Sequence, residues 1–276
     1  MNQTKQIPNT VLICYADEQM KTSQQLCITS ALVKGGIEKY AAYDPAWIQS
    51  DDGFYSRNET ILEAQQRGGG YGWWLWKPYI CHYMLHHMHS EKTVEGAQYV
   101  VYADAGVEFI SSIQPIIDAM EKTGQHIFLF GNGHTHALWC KKKVVEAMIP
   151  NWFEMPKFAE IEQVQASIII FRVSQTSVEF TRRWLAWSEI PGFIDDSENV
   201  GITKHFRDHR NDQAILTNLA IQANLQVHWW PTQYGHVLKQ NYQDHYEQLF
   251  FHHRWRELDW VNNNVNINEF MALPKN

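Results

Sequence analysis

Short apolar, β-branched runs alternate along this chain with stretches of helical spacing, and that alternation restricts the fold more than any other feature. Residues 10–15 form such a run, residues 23–33 follow with helical spacing up to a turn at Gly35 and Gly36, and residues 40–43 form a second strand. The unit is β-α-β, for which a right-handed crossover in a parallel sheet is the rule. Further strands are expected at 99–102, 126–130, 166–171 and 227–230, with helices at 113–122, 178–187 and 211–223 between them. Asn58 is a candidate N-cap for a helix running to Gln66, which Gly68 to Gly70 stop, and Pro78 suits the first turn of a helix ending near His89. The stretch 191–207, polar and glycine-containing, reads as an ordered insertion or a mobile loop. The expected class is α/β, with ligands at the C-terminal edge of the strands.

Length and composition narrow the remaining choices. The 276 residues suit one domain, 45% hydrophobic and 19% charged, with no apolar run of about 18 residues. The polar opening MNQTKQIPNT shows no secretory pattern, and the scattered Cys14, Cys27, Cys81 and Cys140 suit free thiols, so a cytoplasmic protein is expected. A net charge of −7 argues against nucleic acid as a partner. The 12 Trp, 12 Tyr and 13 Phe could stack on sugars or bases, or fill a core and its rim.

Four segments carry candidate chemistry. Asp104 follows the strand-like YVVYA, where its carboxylate would emerge at the sheet edge and hold a divalent cation on a diphosphate; an Asp capping the next turn explains the same tetrapeptide. RGGGYGWWLWKP places Arg67 and Lys77 with four aromatic rings beside a helix N-terminus, the outline of an anion and ring site, though a glycine turn with aromatic anchors has the same appearance. It is neither a P-loop nor a dinucleotide fingerprint. HRNDQAIL puts Asp212 and Gln213 at a helix start, where Asp212 could serve as a general base or simply cap the helix. In FHHR, His252 or His253 could complete a metal shell with Asp104. The pairs His82/His86 and His205/His209 have zinc-compatible spacing without an H-E-x-x-H pattern, and read as helix surface.

Taken in order, VLICYAD, GYGWWLWKP, YADAG, SIIIFR and HRNDQAIL resemble a family of small bacterial and chlorovirus glycosyltransferases with the GT-A fold, over most of the chain. The resemblance implies a single Rossmann-like domain with a central, mostly parallel mixed sheet flanked by helices. Residues 1–130 would form its nucleotide-sugar half, and 131–276 the acceptor half and tail. It implies a UDP-sugar donor, Mn²⁺ or Mg²⁺, and a glycan or lipid-linked glycan acceptor of a bacterial capsule, O-antigen or lipopolysaccharide, with membrane contact no more than peripheral at the inner membrane. Asp104 matches the last carboxylate of the family's D-x-D element, and Tyr102 stands where its first would be. Tyr15 and Ala16 fall where the nucleotide base rests; Arg67, Tyr71, Trp76, Lys77, Tyr102, Ala103, Asp104 and Gln213 are expected around the donor; Asp212 matches the acceptor-side carboxylate. Two other readings stay open: a non-catalytic carbohydrate-binding protein with a Trp-rich surface, and a His/Asp metal hydrolase.

Overall fold

The computed structural model describes residues 4–64, 71–91, 96, 98–235 and 246–275. Its first unit is the expected one: β1 (Ile7–Tyr15), α1 (Lys21–Ser30) continued by one wide turn, and β2 (Ile37–Tyr43), paired in parallel with β1. Two short helices follow, α2 (Pro45–Ser50) and α3 (Asp52–Leu62), and then α4 (Trp76–Glu91) leads to β3 (Tyr99–Ala103). Beyond it come β4 (Val107–Phe109), α5 (Gln114–Thr123), β5 (Ile127–Thr135) and α6 (Lys142–Met148). The second half adds β6 (Glu162–Arg172), α7 (Gln175–Ser188), α8 (Asn211–Gln222), β7 (Val227–His228), β8 (Phe250–His252), α9 (Glu257–Asn263) and α10 (Ile267–Ala272).

The main sheet has the order β2-β1-β3-β6-β5-β7. β6 runs antiparallel to both β3 and β5, while the other pairs are parallel, so β1, β3 and β5 end on the same edge. All five residues of β3 are buried, as a strand covered on both faces requires. Their side chains alternate: Val100 and Tyr102 enter the core beneath α4, α7 and α8, whereas Tyr99, Val101 and Ala103 enter the core beneath α1 and α5. The result is a three-layer α/β/α arrangement around a mixed, mostly parallel sheet.

A second, two-stranded sheet joins β4 to β8, with Val107 opposite His252. It is held from outside by the last helices. Trp255, Trp260 and Phe270 pack together over Leu26 of α1, the Glu257 carboxylate accepts from Thr22 Oγ1, and buried Glu108 of β4 takes Lys34 at 2.9 Å and Lys275 at 2.8 Å. A fully buried carboxylate requires such partners.

Two local expectations need correction. Asn58 is no N-cap: α3 starts six residues earlier, where Asp51 Oδ1 accepts from Phe54 N at 2.9 Å, and Asn58 is buried in mid-helix, donating to Phe54 O and Glu189. Asp51 wins because Phe54 already belongs to the buried face that Leu62 completes. Gln66 and Gly68 to Gly70 lie outside the described residues. His205 and His209 share no helix, and His209 is buried with its Nε2 against Phe193 O at 2.7 Å. The 191–207 stretch is an ordered insertion, pinned by Lys141, whose buried ammonium donates to the carbonyls of Gly192, Asp195 and Ser197.

Candidate active site

The C-terminal edge of the main sheet opens into a cavity of about 790 Å³, lined by residues from before and after position 130. β1 delivers Tyr15 and Ala16, β3 delivers Asp104, β6 delivers Gln165 and Ser167, and β5 delivers Asn132 and His134. Neighbouring strands are about 4.8 Å apart, so the floor from β1 to β5 spans roughly 14 Å.

At its centre three charges meet. Lys77, in the first turn of α4 and almost wholly buried, stands 3.2 Å from Asp104 Oδ1 and 3.2 Å from Asp212 Oδ2, and donates to Ala166 O at 3.2 Å. Burial works against its ammonium, but the two carboxylates outweigh it and hold the pKa above the ordinary lysine value. Asp212, in the first turn of α8, is 4% exposed. Desolvation raises its pKa to about 6, with Lys77 opposing and Asp104 adding to the rise. Asp104 keeps 37% of its side chain in solvent. The buried Tyr102 hydroxyl donates to Asp104 Oδ1; desolvation, then the Asp104 charge, keeps that phenol protonated. Tyr102 and Ala103 therefore lie beneath the cavity and not on its wall, because strand alternation turns them into the two cores. Tyr102 reaches the site through Asp104.

Polar atoms without partners are concentrated here. Among the described residues, Tyr15 OH, Ser167 Oγ, Trp230 Nε1 and His252 Nε2 are buried with no hydrogen bond, and all four residues line the cavity. An unmet buried group costs about 1–3 kcal/mol, so four at one site mark a place built for a ligand or water. His252 lies near Asp104 because β4 begins three residues after Asp104 and pairs with β8. Burial, then Arg254, lowers its pKa to about 3, leaving a neutral imidazole. His253 points elsewhere, its ring 5.8 Å from Trp260 and 5.3 Å from Phe270. Gly106 belongs to the same junction: a Cβ there would stand 3.2 Å from Arg254 Cα.

The aromatic wall is a ladder. Tyr15 stacks on Trp76 at 3.9 Å between ring centres, with Tyr71 beyond it at 6.4 Å. Gly72, Trp73 and Trp74 all have left-handed φ, at 57°, 51° and 61°. Each tryptophan costs about 1–2 kcal/mol in that region, and the sharp turn puts Trp74 on the cavity wall. Gln213 lines the cavity but is tied to β6, donating to Gln163 Oε1 at 2.7 Å and accepting from Ala166 N at 3.3 Å. Arg67 lies outside the described residues. Ser167 and Trp230, single residues without a motif, carry no signal in the sequence; Arg254 belongs to FHHR, where the histidines alone suggested chemistry, and His134 to the triplet HTH at 134–136, which pointed to no definite role.

A shared divalent ion fits this donor set; a self-contained metal centre does not. Among the described residues no group of three or more His, Cys, Asp or Glu could hold a metal. Asp104 and the unpartnered His252 Nε2 supply two donors, leaving the other positions to ligand oxygens. The pair His82/His86 lies on α4 with ring centres 5.9 Å apart, away from the cavity.

No family model and no curated protein sequence matches the chain. Among solved structures it is similar to mouse xyloside xylosyltransferase 1 in its apo form, at 10% identity and a TM-score of 0.48, over 89% of this chain and 97% of that one. It is also similar to the apo WbbM bifunctional glycosyltransferase, at 9% identity and a TM-score of 0.44, over 79% of this chain and 38% of that one. Among the described residues, no helix is long and apolar enough to cross a membrane.

Proposed function

We propose that the protein transfers a sugar from a UDP-sugar, with the help of Mn²⁺ or Mg²⁺, to a hydroxyl of a bacterial surface glycan. The observation that carries this reading is the Asp104–Lys77–Asp212 triad on the floor of a cavity whose buried polar atoms lack partners. The ladder of Tyr71, Tyr15 and Trp76 offers flat surface for a base at the end of β1. Asp104 and His252 would hold the ion, which when bound neutralises charge on the diphosphate leaving group. Arg254, on the cavity wall, adds positive charge on the same side.

Asp212 works on the acceptor. With a pKa of about 6 it is ionised at neutral pH yet more basic than an ordinary carboxylate, suited to take the proton of an attacking hydroxyl. Lys77 keeps the two carboxylates from repelling one another and fixes their separation, so positioning and charge stabilisation supply most of the rate.

Isothermal titration of UDP with and without Mn²⁺ tests the reading. Binding should require the ion and weaken in Asp104→Asn; equal, negligible binding in both conditions sinks it. UDP release from a panel of UDP-sugars separates a transferase from a sugar-binding protein, which would bind glycan with no need of nucleotide.

A further inference from the structure

The far end of the cavity, at β5, carries positive charge that the donor chemistry does not use. Arg210 lines the cavity and stacks its guanidinium over Trp139 at 4.3 Å, and Arg207 approaches the same ring at 5.7 Å. Backbone bonds hold both in place: Arg207 N donates to Leu138 O at 2.9 Å and Arg210 N to Trp139 O at 3.0 Å. Neither guanidinium is paired with a carboxylate among the described residues, and the nearby acids are engaged. Asp208 Oδ1 accepts from Asn199 Nδ2 and His209 N, and Glu162 Oε1 accepts from Gly133 N. Burial, then Arg210 and Arg207, depresses the pKa of His134 on the same wall, which keeps its ring neutral and able to donate a hydrogen bond. Between this cluster and Asp104 lies Ser167, 7% exposed, its Oγ without a partner.

Two cations on one indole, in a chain of net charge −7, are a local exception. Planar guanidinium groups suit carboxylate or phosphate oxygens, and aromatic backing fixes their orientation. The sheet order gives the direction: β5 is two strands from β3, so His134 is offset from Asp104 by about 10 Å across the strands, and further along them because the end of β5 pairs near Glu162 while Asp104 N bonds Ser167 O.

We propose that Arg207, Arg210 and His134 form a subsite for an anionic group on the acceptor, a carboxylate or phosphate borne by a sugar at or next to the one that is glycosylated. This rests on the glycosyl-transfer reading for the word acceptor, while the anion selectivity stands on the cluster itself.

The test is isothermal titration of the full chain, with and without UDP and Mn²⁺, using three oligosaccharides of equal length: one neutral, one with a hexuronate, one with a hexose phosphate. At least one acidic glycan should bind about tenfold more tightly than the neutral one, and the R207Q/R210Q double variant should remove that preference without changing UDP affinity. The tighter of the two acidic ligands identifies the source of the anion. Equal affinity for all three, no binding of any, or a preference unchanged in the double variant overturns the proposal. UDP is titrated separately: its failure to bind sinks the donor reading, and an acidic preference measured without UDP still upholds the subsite.

Discussion

Replacing Lys77 by Met keeps most of the side-chain volume but leaves the buried Asp212 without its counter-ion. The size of the effect follows from proton linkage. In the wild type, the folded pKa of Asp212 is about 6 against an ordinary 3.8, so between those values the native state binds more protons than the unfolded state. Stability therefore falls by up to about 1.4 kcal/mol per pH unit as pH rises through that window, and levels off above 6. Without Lys77, burial and the Asp104 charge are opposed only by the hydrogen bond from the Gln213 backbone, and the folded pKa moves above 6. The decline then continues to pH 7 or 8, while Lys77 in the wild type stays charged throughout. The gap in unfolding free energy between wild type and variant should thus be roughly 1–3 kcal/mol wider at pH 8 than at pH 6. Urea unfolding at half-unit steps from pH 5.5 to 8 measures it. Adding Asp212→Asn to the variant should flatten the excess slope. Parallel wild-type and variant curves above pH 6, or an excess slope that survives the second substitution, would refute the argument that Lys77 keeps Asp212 ionised.

Three further outcomes follow from the same geometry. Tyr102→Phe removes the hydroxyl that orients Asp104; stability should change by less than about 1 kcal/mol because Asp104 still reaches solvent, while Mn²⁺-dependent UDP affinity falls severalfold by calorimetry. Gly106→Val forces a side chain against Arg254 Cα and displaces the segment that carries His252; it should cost about 1–3 kcal/mol in urea unfolding and abolish ion-dependent UDP binding. The rate of acceptor-dependent UDP release should rise with pH along a limb centred near 6 and then plateau, since Asp212 must be ionised to accept a proton; a profile flat from pH 5 to 8 removes Asp212 as the base.

The sheet was readable where a strand is a continuous apolar run. Residues 99–102 and 166–171 announce themselves because both faces are covered, and Asp104 stands out as the first polar residue after such a run. The ribbon of β4 and β8 was not, since three residues on each side carry no periodicity and their pairing is purely tertiary. For that reason the sequence offers His252 and His253 beside Asp104 only as alternatives, and the turning away of His253 could not be read. Lys77 was visible as a cation in an aromatic segment, but its double engagement joins α4, β3 and α8, which no local pattern encodes. The start of α3 was misread for a smaller reason: Asn58 looks like a cap only if Phe54 is left out of the helix's apolar face.

The bracing of the β4–β8 ribbon by α9 and α10 also sets an order of events during synthesis. Thr22, in the first helix, waits for Glu257 across 235 positions, and β4 waits for β8. A chain emerging from the ribosome can form its β-α-β unit early, because those contacts are local. It cannot seat His252 or Arg254 against the Asp104 loop until β8 and the residues after it have been made. The nascent protein thus carries Asp104 long before the wall that completes the cavity around it.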